Sequence, residues 1–271
     1  EIRLPQALQA GLLTPFQYLC ISDDTDLSDE SLWSGQKYNT ERLADKLCAK
    51  TRAQLIVGAL HKYLADEYTC RTLCFCVNKR HADFMAEQLR LHGFNAQSLT
   101  SDTPAEERKQ LAKDLRDGTL HYLCVVDIFN EGVDIPEVNT VLFLRPTESL
   151  TVFLQQLGRG LRLSEDKECL TVLDFIGQAN KKYNFEDKFA ALLSNTTRSV
   201  TREIKDGFVS VPKGCYIQLE KKAAKYILEN IRASYGNTAG LVTRVASFEE
   251  DTGLELTLAN FLDYYHIDAR A

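Results

Sequence analysis

The pattern G-x-x-x-x-G-K-[ST] occurs nowhere in the 271 residues. The chain therefore lacks the glycine-rich loop whose backbone amides cradle nucleotide phosphates, together with its lysine and its magnesium-binding hydroxyl. No run of about 18 apolar residues is present, so no helix is expected to span a membrane, and the N-terminus has no signal-peptide pattern. A cytoplasmic setting with no membrane partner is expected. The eight cysteines form no C-x-x-C pair and no Cys/His metal spacing. They read as reduced, mostly buried thiols, Cys74 and Cys76 included, and no metal site is expected. An excess of positive charge is also missing. The net charge of −6 argues against a protein that simply coats nucleic acid. The one methionine, Met85, lies well inside a chain that begins at Glu1, so the chain reads as an internal piece of a longer polypeptide.

What is present is an ordinary globular balance, 44% hydrophobic and 26% charged residues. Residues 1–50 read as a connector with Pro5 and Pro15, one short strand near Phe16–Ile21, and a first helix through Leu43 and Leu47. Over 51–195 a helix near Leu55–Leu64 is followed by apolar strands at Thr72–Val77, Asn95–Leu99, Tyr122–Val126, Thr140–Leu144 and Leu170–Asp174, with helical spacing between them. This alternation predicts an α/β fold, a doubly wound and mostly parallel sheet with flanking helices and ligands at the carboxyl ends of the strands. Gly93 and Gly118 are placed to end helices. Thr103, Pro104 and Glu106 suit a helix start with a capping box. Residues 196–271 read as a helical accessory segment, truncated at its end, with helices near Gln218–Ser234, Ala239–Glu249 and Leu256–Tyr265.

Gln155-Gln156-Leu157-Gly158-Arg159-Gly160-Leu161-Arg162 sets two arginines three residues apart, a spacing that places both on one face of a helical turn and lets them converge on one phosphate. Upstream, Glu131-Gly132-Val133-Asp134-Ile135-Pro136 offers a glycine where backbone can approach a ligand and a carboxylate that can bind a hydroxyl or hold an arginine. Asn78 and Lys79 sit where a strand meets a helix N-terminus, a natural phosphate site. Thr100 and Ser101 end the next strand, and serve as turn and cap residues or as phosphate contacts. Asp174 and the Asp66-Glu67 pair lack the setting of a metal-binding acid and read as structural.

Residues 71–193 resemble the second RecA-like domain of a superfamily 2 DNA helicase or translocase, near the bacterial restriction-enzyme and excision-repair branches. The resemblance rests on order: Thr72–Lys79 is similar to motif IV, Asn95–Arg108 to the segment after it, Asp127–Pro136 to motif V and Gln155–Arg162 to motif VI. It implies an ATP-binding hydrolase with Arg162 as arginine finger, Arg159 as a second phosphate contact, and Gln155, Gly132 and Asp134 beside the nucleotide. It also implies nucleic-acid contacts, DNA being the expected partner, from Asn78, Lys79, Thr100, Ser101, Asp127 and Asn130. ATP and magnesium would be held mainly by a first RecA-like domain of the same polypeptide, which the opening Ile2–Phe16 resembles leaving. Without a phosphate loop the chain alone should not hydrolyse ATP. Val211–Arg232 resembles the segment after the motor in bacterial helicases with accessory domains. Two other readings stay open: a non-enzymatic RecA-like module that binds nucleic acid or protein, and another doubly wound enzyme such as a nucleotide-sugar transferase.

Overall fold

The computed structural model describes residues 3–35, 37–126, 134–194, 198–233, 245, 248–249 and 252–265. In chain order the elements are α1 (Leu4–Gln9), β1 (Phe16–Leu27), the hairpin β2 (Trp33–Ser34) and β3 (Lys37–Tyr38), α2 (Thr40–Leu47), α3 (Lys50–Tyr63) and β4 (Thr72–Phe75). They continue with α4 (Lys79–Leu91), β5 (Ala96–Leu99), α5 (Ala105–Asp117), β6 (Tyr122–Val125), β7 (Thr140–Phe143), α6 (Leu150–Gly160) and β8 (Leu170–Ala179). Last come α7 (Phe185–Ala190), α8 (Val200–Asp206), β9 (Tyr216–Leu219), α9 (Lys221–Ala233) and a helix at Leu258–Tyr265.

Seven strands make one sheet in the order β5-β6-β4-β7-β8-β1-β9, and every pairing in it is parallel. Such a sheet buries both faces, which is why β4, β6 and β7 are apolar at almost every position. Alternate residues supply two cores. Leu73, Phe75, Val141 and Phe143 face α6 residues Phe153 and Leu157 and α5 residues Leu111 and Leu115. Cys74, Cys124 and Leu142 face Ile56 and Leu60 of α3 and Ala82, Met85 and Leu89 of α4. Burial pushes the Cys74 and Cys76 thiols well up, so they pack as small neutral hydrophobes.

Helix ends follow local chemistry. Asn78 caps α4 by accepting from the His81 amide, and Gly93 and Gly118 take left-handed φ angles of 86° and 76° just after α4 and α5. The start of α5 differs from the capping-box expectation. Pro104 is the N-cap, and the Thr103 hydroxyl accepts instead from the Thr100 amide at 3.0 Å, closing the turn before the helix.

Two further differences enlarge the sheet. The short strand near Phe16–Ile21 is a 12-residue strand that pairs with β8 along most of its length, with a register shift between Ser22 and Asp26. The shift brings the Thr25 carbonyl to 2.5 Å from where a Cβ on Gly177 would stand, so only glycine fits there. Second, the helix read from Gln218 is preceded by a strand, since Tyr216–Leu219 pairs with β1 and the helix starts at Lys221. The sheet thus reaches past residues 51–195 on both sides.

Asp174, at the centre of β8, accepts from the Tyr18 hydroxyl and the Lys188 ammonium, each at 2.7 Å, with all three side chains buried. Although burial alone would lower the Lys188 pKa, the Asp174 carboxylate raises it, and the ammonium also lies 4.9 Å from the centre of the Phe153 ring. The pair pins α7 to the sheet, a structural role.

Candidate functional site

Strand direction separates the predicted residues into two groups. Arg159, Arg162 and Asp134 lie at the amino ends of β7 and β8, because α6 runs back from the carboxyl end of β7 and delivers its last turn beside Val141 and Leu170. Asn78, Lys79, Thr100 and Ser101 lie at the carboxyl ends of β4 and β5. The expectation that ligands gather at the carboxyl ends therefore covers the second group and not the first. Gly132, Asp127 and Asn130 lie outside the described residues.

At the amino edge, Ser149 caps α6 by accepting from the Val152 amide. Phe153, Gln156, Leu157 and Gly160 form its buried face. Gln155 is on the exposed face, one turn before half-buried Arg159. The buried glutamine is its neighbour Gln156, whose side-chain oxygen accepts from the Thr147 hydroxyl at 3.2 Å. Arg162 is not on the helical turn with Arg159, since Leu161 is the C-cap and Arg162 follows it. The reason is Gly160: a Cβ there would stand 2.6 and 2.8 Å from the Leu170 methyls, so the helix end presses onto the sheet and the chain must turn.

The Arg162 guanidinium is half exposed and has a partner. It pairs with the Asp134 carboxylate, with side-chain exposures of 41% and 51%. The Asp134 carbonyl accepts from Arg116 at 2.9 Å, which ties the loop before β7 to the end of α5. Two residues that carry no motif complete the corner. Thr14 donates through its amide to the Leu161 carbonyl at 2.8 Å and through its hydroxyl to the Arg162 carbonyl at 3.0 Å. Lys167 donates to the carbonyls of Pro136, Val138 and Gly160 at 2.6, 3.0 and 3.0 Å. Partial burial pulls its ammonium down to about 8, against the upward pull of Glu137. Nothing local in the sequence marks either residue, because their partners are distant in the chain or are backbone atoms.

A half-exposed guanidinium beside a carboxylate suits an incoming phosphate, which would replace the carboxylate in a charge-assisted contact. Among the described residues no group of three His, Cys, Asp or Glu side chains is arranged to hold a metal ion.

At the carboxyl edge, α4 opens with Lys79 and Arg80 and has no acid in its first turn, so side-chain charge adds to the positive end of the helix dipole. Both are about half exposed and meet acids from neighbouring elements, Lys79 with Asp102 and Arg80 with Asp45 at 2.6 Å. Asn78 donates to Glu41 at 2.8 Å. Ser101 is exposed and donates to Asp102 at 3.2 Å, whereas Thr100 is buried and holds the turn with Thr103. Behind them His81 is fully buried, its Nδ1 accepting from the Val77 amide at 3.2 Å. Burial first, and then Arg52, Arg145 and Arg80, hold it well below the usual imidazole range. Arg52 bridges the middle of β1 and the residue after β7 through Asp23 at 2.6 Å and the Leu144 carbonyl at 3.0 Å.

Residues 55–164 match the helicase conserved C-terminal domain family. Among curated proteins the chain is 36% identical over 165 residues to the putative ATP-dependent helicase IRC3 of Saccharomyces cerevisiae, a match covering 60% of this chain and 24% of that protein. It is 30% identical over 167 residues to UvrABC system protein B of Xanthomonas campestris, covering 57% and 24%. The chain thus spans about a quarter of the length of these relatives. Among solved structures it superimposes on a fragment of a putative HsdR subunit of a type I restriction enzyme from Vibrio vulnificus with a TM-score of 0.50 at 21% identity, covering 82% of this chain and 39% of that one. No described helix is long and apolar enough to cross a membrane.

Proposed function

Residues 55–164 are a superfamily 2 helicase C-terminal domain on a RecA-like fold, and from that premise we propose that the chain is the second motor domain of an ATP-dependent DNA helicase or translocase. Its role is to supply Arg162 as an arginine finger to a nucleotide held mainly by a first RecA-like domain. The observation that carries this reading is the placement of Arg162, a half-exposed guanidinium fixed through its backbone at a helix end and paired with the surface carboxylate of Asp134.

ATP, when bound with its magnesium, supplies the phosphoryl group that is transferred to water. What this chain adds is charge and position. Phosphoryl transfer spreads negative charge over the equatorial oxygens, and a planar guanidinium can contact two oxygens at once. Asp134 holds that guanidinium until a phosphate takes its place. Arg159, Gln155 and Gly132 belong to the same wall in this reading. Lys79, Asn78, Ser101 and Thr100, with Asp127 and Asn130, form the track, where phosphates compete with Asp102 and Glu41 for the basic and amide groups. Contacts of this kind read the backbone rather than the bases, as a stepping motor needs. DNA as the track follows from the motif resemblance.

The test uses the full-length polypeptide and measures ATP hydrolysis with and without DNA or RNA strands. DNA stimulates turnover, and Arg162→Ala lowers it by roughly 10³-fold or more, the usual value of an arginine finger. Undiminished turnover in that variant sinks the finger, and stimulation by RNA alone sinks the DNA track.

A further inference from the structure

The end of α6 is capped from outside the helix. The carbonyls of Gly160, Leu161 and Arg162 stand where no intrahelical donor remains. Each has a separate outside donor: the Lys167 ammonium takes Gly160, the Thr14 amide takes Leu161, and the Thr14 hydroxyl takes Arg162. Thr14 is 1% exposed, so an unmet hydroxyl or carbonyl there would not find water. Lys167 reaches the Pro136 and Val138 carbonyls as well, so one ammonium joins the helix end to the segment before β7 in which Asp134 lies. Asp134 is the partner of Arg162.

We infer that Thr14 and Lys167 are positioning residues for Arg162, setting where its guanidinium can reach. The inference rests on the reading of Arg162 as a finger. Thr14 fixes the backbone from which the side chain springs, and it does so from the segment between α1 and β1, so a pull on that segment moves the Arg162 carbonyl directly. Lys167 fixes the distance between that backbone and the Asp134 loop. Neither residue touches the phosphate. The cost of losing them is misplacement, and a shift of about 1 Å at a reacting centre can lower a rate by about 100-fold.

Thr14→Val keeps the shape and removes the hydroxyl, Thr14→Ser keeps the hydroxyl, and Lys167→Met keeps the length and removes the charge. In the full-length polypeptide, Thr14→Val and Lys167→Met each lower kcat for DNA-stimulated ATP hydrolysis about 10- to 100-fold while KM for ATP stays within about twofold, since what is lost is positioning and not binding. Thr14→Ser restores kcat. Unchanged kcat in both variants overturns the inference, as does a fall in kcat that Thr14→Ser fails to restore. If wild type shows no DNA-stimulated turnover, the functional reading fails on its own. The cap is then judged by amide exchange in the 271-residue chain: faster exchange at Thr14 and across 160–163 in Lys167→Met supports it, and unchanged exchange overturns it.

Discussion

Gly160 and Arg162 illustrate how closely a packing residue and a proposed functional residue can be coupled. Gly160 is chosen by the Leu170 and Val141 side chains that crowd it, and Arg162 owes its position to that crowding. Gly160→Ala should cost roughly 1–3 kcal/mol of stability by overpacking, read as a shift of the denaturant midpoint, and should also lower DNA-stimulated turnover by moving the helix end. Full turnover in a destabilised variant would show that the placement of Arg162 does not depend on this contact. The arginines were legible in the sequence because charge and spacing are local properties. Their surroundings were not: Thr14 lies 148 residues from Arg162 and carries no chemistry of its own. The expectation of one shared helical turn failed for the same reason, since what ends α6 after Gly160 is a strand residue ten positions away.

Among the elements, β9 and α9 show where periodicity runs out. Tyr216–Leu219 has one fully buried residue, Ile217, and four residues are too few to separate a strand from the first turn of a helix. What settles the matter is β1, whose free edge accepts a parallel partner. The junction is held by Glu220, which accepts from Lys62 at 2.9 Å, Tyr63 at 2.6 Å and the Ser22 amide at 2.9 Å. Burial alone would raise its pKa, but the bonds from Tyr63, Ser22 and Lys62 prevail and hold it at about 2. A depressed carboxyl stabilises the fold above its ordinary value near 4.5, and that contribution is lost as pH falls from there through about 2. Glu220→Gln should therefore lower stability at pH 7 by about 1–3 kcal/mol and remove part of the acid-dependent loss seen in wild type. Parallel pH profiles for the two proteins would count against this role.

For the molecule as a whole, the parallel sheet holds the two groups of motif residues at its opposite ends. The amino edge carries the proposed phosphate wall and the carboxyl edge the proposed track, and in that reading the sheet stands between nucleotide and nucleic acid. We expect the 271-residue chain by itself to release no phosphate from ATP above background, whatever strand is added. Sustained turnover by the chain alone would sink the two-domain reading. Lys79→Glu should weaken nucleic-acid binding and leave ATP turnover at saturating DNA reduced by less than Arg162→Ala does. Equal losses from the two substitutions would argue against separate edges.

The sequence alone determined the strand–helix alternation, the buried character of the strands, the motif order and the absence of a phosphate loop, because each is written in residues near one another. Only the tertiary structure decided that all seven strands run parallel, that β1 and β9 extend the sheet, and that the two motif groups face opposite edges. It alone brought Thr14 and Lys167 to the end of α6. Strand order and capping by distant backbone depend on which surfaces meet in the fold, and local spacing does not encode that.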